Sequence, residues 1–140
     1  MKSRLKSILL IVIAAMILLG GTWFALSKFT GKKEPEKLSA DEIVARIVET
    51  EPMTTNLSSG GYIQLKFKIE TSSKKAKEEL ENRQFQITNI AIRLMSAMNE
   101  EQVKSPDGMA QFENNMQTEL NELMQDGKIV HIYTTNKMIQ

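Results

Sequence analysis

The chain has 140 residues, 18 Lys or Arg against 17 Asp or Glu, one histidine and no cysteine. That composition excludes disulfides, thiol catalysis and cysteine-ligated metals, and a single histidine leaves no His-based metal cluster. Charge is divided unevenly: the first 37 residues hold seven Lys or Arg and two Glu, a net +5, while the remainder holds eleven against fifteen acids, a net −4.

Residues 1–6 read as a short basic tail carrying Lys2, Arg4 and Lys6. From Ser7 to Ser27 the chain runs 21 residues without a charge. As a helix that run spans roughly 31 Å, close to the hydrocarbon thickness of a bilayer, and a helix satisfies its own backbone across lipid. The anchor residues are Ile8, Leu9, Leu10, Ile11, Val12, Ile13, Leu18, Leu19, Gly20, Gly21, Trp23 and Phe24. The run exceeds the core of a cleaved secretory signal, and Thr22-Trp23-Phe24 places bulk where a peptidase needs small residues. An uncleaved single-pass anchor is therefore expected, with its amino end inside and the rest of the chain outside the cytoplasmic membrane. Trp23 and Phe24 fit an aromatic belt, although Trp23 reads equally well as a tolerated residue. Gly20-Gly21 suits close helix approach in lipid.

Residues 28–38 follow as a charged linker, with Gly31, Pro35 and mixed Lys and Glu marking a solvated tether. Residues 39–140 then form one domain's worth of chain. Ser39 and Glu42 have capping-box spacing, and Ile43, Val44, Ile47 and Val48 recur at helical intervals. A helix from Ala40 to about Thr50 is predicted, with a strand as the alternative, and Pro52 ends it. Met53 to Leu57 and Tyr62 to Thr71 flank Ser58-Ser59-Gly60-Gly61, the pattern of an antiparallel hairpin. In the second run Ile63, Leu65, Phe67 and Ile69 alternate with polar residues, so one face is apolar and one wet.

Ser72-Ser73 caps a helix that opens Lys74-Lys75-Ala76-Lys77-Glu78-Glu79. Its lysines crowd the positive end of the helix dipole, a conflict of a few tenths of a kcal/mol that a solvated face tolerates. The same face is a candidate docking surface through Lys74, Lys75, Lys77 and Glu78, as is the segment carrying Ile43, Val44 and Ile47. Ile87, Ile90, Ala91, Leu94, Met95 and Met98 form one helical stripe. Ser105-Pro106 reads as a cap with a first-turn proline, and Phe112, Met116, Leu120, Leu123 and Met124 form a second stripe closed by Gly127. The methionines read as core filling before they read as a binding groove. Lys128 to Gln140 is a final strand, and trimming it is expected to unfold the domain. The order is helix, hairpin, two or three helices, strand: an α+β domain whose helices cover one face of a small antiparallel sheet.

No catalytic, cofactor or metal residues emerge. His131 lies in the last strand, no Gly-x-Ser-x-Gly elbow occurs, and the paired carboxylates Glu78 and Glu81 read as a solvated face. The acidic balance of the outer domain argues against nucleic acid. A lipid bilayer is the one partner the residues themselves imply.

Several segments together resemble the family of flagellar basal-body-associated proteins FliL. They are Thr54-Thr55-Asn56-Leu57 with Gly61 to Ile69, Arg83 with Ile87 to Ser96, Gly108 through Leu120-Asn121-Glu122-Leu123, Gly127 to Val130, Ile132-Tyr133-Thr134, and Ile139-Gln140. Their order and the total length carry the resemblance, which includes the anchor and tether. The chain departs from it at Phe85, near which many relatives have proline, and at Asn89, near which they have an acid. The resemblance implies a stomatin/prohibitin (SPFH)-like domain beside the flagellar motor. It implies no cofactor and no small-molecule substrate. The implied partners are flagellar stator proteins of the MotA/MotB type, basal-body components and further copies of the chain, in support of torque, stator retention, swimming and swarming. The alternative from the residues alone is a membrane scaffold of secretion or envelope assembly.

Overall fold

The computed structural model describes residues 13–24 and 38–140, in two compact units, Met1–Lys37 and Leu38–Gln140. In the first unit residues 13–24 form a helix, α1, whose apolar side chains all face outward. The Thr22 hydroxyl donates to the carbonyls of Leu18 and Leu19 at 2.9 Å, so the one side-chain hydroxyl on this apolar surface is satisfied within its own helix. Among the described residues no helix is long and apolar enough to cross a membrane. Ile8, Leu9, Leu10, Ile11 and Val12 of the expected anchor, its last three residues and the linker up to residue 37 lie outside the described residues.

The second unit is built on one long strand. β3 (Tyr62–Thr71) pairs along one edge with β4 (Ile129–Ile139) and along the other with β1 (Ile47–Glu49) and β2 (Met53–Asn56), all antiparallel. The registers Val48↔Ile69 and Thr55↔Ile63 put β1 and β2 end to end on the same side of β3. Thr50 fills the break between them. Its N–H donates to Phe67 O at 3.0 Å and its hydroxyl accepts from Phe67 N–H at 3.0 Å, so one residue continues the ladder while the chain kinks toward Pro52. Proline has no N–H for a ladder and sits where none is needed.

The helix expected from Ala40 to about Thr50 is only half present. α2 (Ala40–Val44) keeps the capping box, with Ser39 and Glu42 bonded reciprocally, and stops after five residues. Ile47 and Val48 belong to β1 instead. Pairing with β3 buries Val48 to 2% exposure, while Val44, assigned to the same helical face, is 68% exposed. Burial against the sheet outweighs the few tenths of a kcal/mol by which β-branched residues differ in helix propensity.

Four helices then cross one face of the sheet: α3 (Lys74–Asn82), α4 (Gln84–Ala97), α5 (Glu100–Lys104) and α6 (Pro106–Leu123). The sequence suggests two or three. The extra one, α5, is a single turn with its own capping box, Asn99 to Gln102. Met98, expected on the α4 stripe, lies past the helix end in an extended conformation, where its carbonyl accepts from the Ser58 N–H and hydroxyl at 2.9 Å. This pins the hairpin turn, in which Gly60 and Gly61 hold φ near +87° and +80°.

The core lies between these two layers. Ile63, Leu65, Phe67 and Ile69 of β3 meet Ile87, Ala91 and Met95 of α4 and Phe112, Met116 and Leu120 of α6, with the Phe67 and Phe112 rings stacked 5.7 Å apart. Among the described residues its buried members run from Val48 to Ile132. The methionines of the two stripes are core or packed against it, as their spacing suggests, and none of the helices α3–α6 lies on the other face of the sheet.

Candidate functional site

The described residues contain no cluster of three His, Asp or Glu able to hold a metal. Several charged side chains are instead engaged in holding surfaces together.

Part of the charged face of α3 is internal architecture. Ser73 caps the helix by accepting from Ala76 N–H at 3.1 Å. One turn on, the Glu79 carboxylate accepts the N–H groups of Gln125 and Asp126 at 2.7–3.1 Å and the Arg83 guanidinium at 2.7–2.9 Å. These bonds, the Asp126 N–H foremost, hold Glu79 below the usual carboxylate range. Lys75 reaches Asp126 at 2.8 Å, and Ser72 exchanges two bonds with the backbone of Lys128. The loop from Gln125 to Lys128 is thereby docked on the start of α3. Gly127 makes this approach feasible: at φ +82° a Cβ there would lie 2.6 Å from the Ser72 hydroxyl.

Of the proposed α3 surface, Lys75 is therefore shared with the loop, Lys77 is half-buried beside Glu81 at 3.8 Å, and Lys74 and Glu78 are exposed. Glu78 and Glu81 are separate surface groups rather than a pair about a cleft. On the other proposed surface, Val44 is exposed, Ile43 and Ile47 are half-buried, and the three are split between α2 and β1.

The open face of the sheet is a surface the residue pattern predicts only as wet. It carries Tyr62, Gln64, Lys66, Lys68, His131 and Tyr133. Lys66 donates to Glu49 across the strand pair at 2.6 Å, which raises the lysine and lowers the glutamate. Glu70, 6% exposed, lies opposite Ile47 and His131 and accepts from the Tyr133 hydroxyl at 2.8 Å. That bond, with burial, pushes the Tyr133 phenol up. His131 is a strand residue, as its alternating context suggests.

One surface was missed by pattern reading: a groove between α4 and α6, about 580 Å³, lined among others by Phe85, Asn89, Ile90, Glu122 and Leu123. Its sequence signal is faint. Phe85 is a large aromatic one position off the buried stripe that begins at Ile87, and it stands 72% exposed.

Comparison with known proteins gives one family. The profile of the flagellar basal body-associated protein FliL matches residues 47–140, the span from β1 to the end of β4. A flagellar protein FliL from Bacillus subtilis (strain 168) is 39% identical over 118 residues, covering 84% of this chain and 84% of that protein.

Proposed function

We infer a supporting role at the flagellar motor from one premise: this chain belongs to the FliL family of flagellar basal body-associated proteins. The match of that family to residues 47–140, all four strands and the helices α3–α6, carries the reading. In it, residues 7–27 hold the chain in the cytoplasmic membrane with the amino end inside, and residues 28–38 give reach. The unit from residue 39 stands outside as a non-catalytic, stomatin/prohibitin-like module that repeats side by side around stator proteins of the MotA/MotB type. Anchoring is supported by the uncharged run and by the all-round apolar surface of α1, a pattern suited to lipid. A non-catalytic role is supported by the way Glu79, Arg83 and Asp126 are consumed in holding a loop. Repetition beside a stator converts weak single contacts into a stable collar through effective concentration.

The test is deletion of the gene with swimming and swarming measured separately, together with counting of labelled stator units at motors under high viscous load. Loss of swarming, with stators leaving loaded motors sooner, is expected, and the full chain restores both. Unchanged motility and unchanged stator residence refute the motor role and favour a scaffold in secretion or envelope assembly.

A further inference from the structure

The groove between α4 and α6 has a length, a floor and a charge that together specify an occupant. The two helices run antiparallel: Arg93 is ion-paired with Glu119 midway, Phe85 lies near Leu123 at one end, and Ala97 lies near Gly108 at the other. Two cavities occupy the groove, about 580 Å³ at the Phe85 end and about 190 Å³ at the Ala97 end. From Phe85 to Ala97 α4 rises roughly 18 Å, the length of a helix of three to four turns. Ile90, Leu94, Phe112 and Leu123 supply an apolar floor, and the amides of Gln86, Asn89, Gln111 and Asn115 supply the walls.

Two side chains in this groove are unspent. The Phe85 ring is 72% exposed, whereas the neighbouring Ile87 and Ile90 are buried. Its ring extends the apolar floor of Ile90 and Leu123 out to the rim of the groove. The Glu122 carboxylate, unlike Glu119, has no ion pair or hydrogen bond among the described residues. Arg93 is neutralised by Glu119, so the lining is net negative, as is the chain from Leu38 onward. The walls are side chains of two helices and offer no backbone edge, which removes strand addition as a binding mode.

We propose that this groove docks an amphipathic helical segment of a partner protein. Its apolar side chains seat between Phe85 and Leu123, and a Lys or Arg on its flank reaches Glu122. Apolar anchors at i, i+3, i+4 and i+7 match a groove of this length, and complementary charge sets orientation and speeds encounter.

The inference is independent of the motor reading, because its test uses a synthetic helix. The full chain carries no cysteine, so Asn89→Cys gives a single labelling site on the groove wall. The fluorophore-labelled chain is held in phosphatidylcholine nanodiscs and titrated with a quencher-bearing 14-residue peptide of Leu and Lys at amphipathic helical spacing. A Leu/Glu peptide of the same pattern serves as its counterpart. Saturable quenching by the Leu/Lys peptide is expected, with at least tenfold weaker binding in Phe85→Ser and in Glu122→Lys. The Leu/Glu peptide should bind only Glu122→Lys. Both substitutions lie on the surface, so circular dichroism should be unchanged, and peptide taken up by lipid is the same for every variant. Equal affinity across the variants, or equal quenching by both peptides, overturns the proposal. Quenching of one labelled chain by a second quencher-bearing chain, without peptide, that Phe85→Ser abolishes assigns the groove to self-association and overturns it as well.

Discussion

Replacement of Thr50 by valine tests how the broken edge of the sheet is held. Thr50 is 2% exposed, and its hydroxyl is the acceptor for the Phe67 N–H at 3.0 Å, in the middle of the central strand. Valine has nearly the same shape, so Thr50→Val opens no cavity. It leaves the Phe67 N–H buried without a partner, which costs about 1–3 kcal/mol. Thr50→Ser keeps the acceptor and loses one methyl group, about 1 kcal/mol. Urea unfolding followed by circular dichroism measures both. With a slope of about 1–3 kcal/mol per molar, a 2 kcal/mol loss moves the midpoint by roughly 1 M without changing the slope. Hydrogen exchange supplies the local signature: the Phe67 amide should lose protection in the valine variant and keep it in the serine variant. A valine variant within about 0.5 kcal/mol of the parent, with Phe67 still protected, would show that the hydroxyl does not carry the ladder across the break.

Gly108→Ala should destabilise by about 1–3 kcal/mol, because a Cβ there would collide with the Gln102 carbonyl where α5 meets α6; thermal unfolding at unchanged midpoint refutes the close approach. Glu79→Gln tests the docking of the loop on α3. Its native pKa is lowered, so its stabilising contribution is present above the ordinary carboxylate range and is lost as pH falls through the lowered value. The variant should therefore lose less of its melting temperature than the parent between about pH 5 and pH 2, and parallel acid profiles would contradict this. In a Tyr62→Phe background, absorbance titration reports Tyr133 alone: it should ionise above the usual tyrosine range and return toward it in Glu70→Gln. Leu18→Lys with Leu19→Lys places two charges in the apolar run at about 2.5–3.5 kcal/mol each, and should move the chain from the membrane pellet to the soluble fraction; retention in the pellet refutes the anchor.

The sheet was legible because its physics is local. Strict alternation through Ile63, Leu65, Phe67 and Ile69 decides which face is buried, and Ser58 to Gly61 decides where the chain reverses. The caps at Ser39, Ser73 and Ser105 were legible for the same reason: each is a hydroxyl three residues before the N–H it receives. What the pattern hides is long-range. Ile47-Val48 satisfies helical spacing and strand propensity alike, and only β3, more than twenty residues on, decides between them. Lys74, Lys75, Glu78 and Glu81 are exposed, as a solvated face requires, but the role of Glu79 is hidden because Gln125 and Asp126, which recruit it, are 46 and 47 residues away. The α4–α6 groove depends on how two helices separated by α5 lie together, a relation no single stripe encodes.

The way β4 is finished bears on how copies of this module are able to meet. A long edge strand invites pairing with another chain, and here α6 spends three side chains preventing it. Asn121 accepts the Ile129 N–H at 2.8 Å, Gln117 donates to the carbonyls of Ile129 and Val130 at 3.1 and 2.7 Å, and Glu113 accepts the Thr134 N–H at 3.0 Å. With those backbone groups already satisfied, a neighbouring strand finds fewer bonds to make along the first half of β4. In the second half Lys137 puts its ammonium on the Val103 carbonyl at 2.9 Å, over the end of α5. Pairing of another chain through extension of the sheet is thus disfavoured on this edge. Simultaneous Glu113→Ala, Gln117→Ala and Asn121→Ala substitutions reopen the edge. They should make the chain aggregate with new β-structure, read by light scattering and circular dichroism; a triple variant that aggregates no more than the parent would mean that these contacts serve only to hold α6 in place.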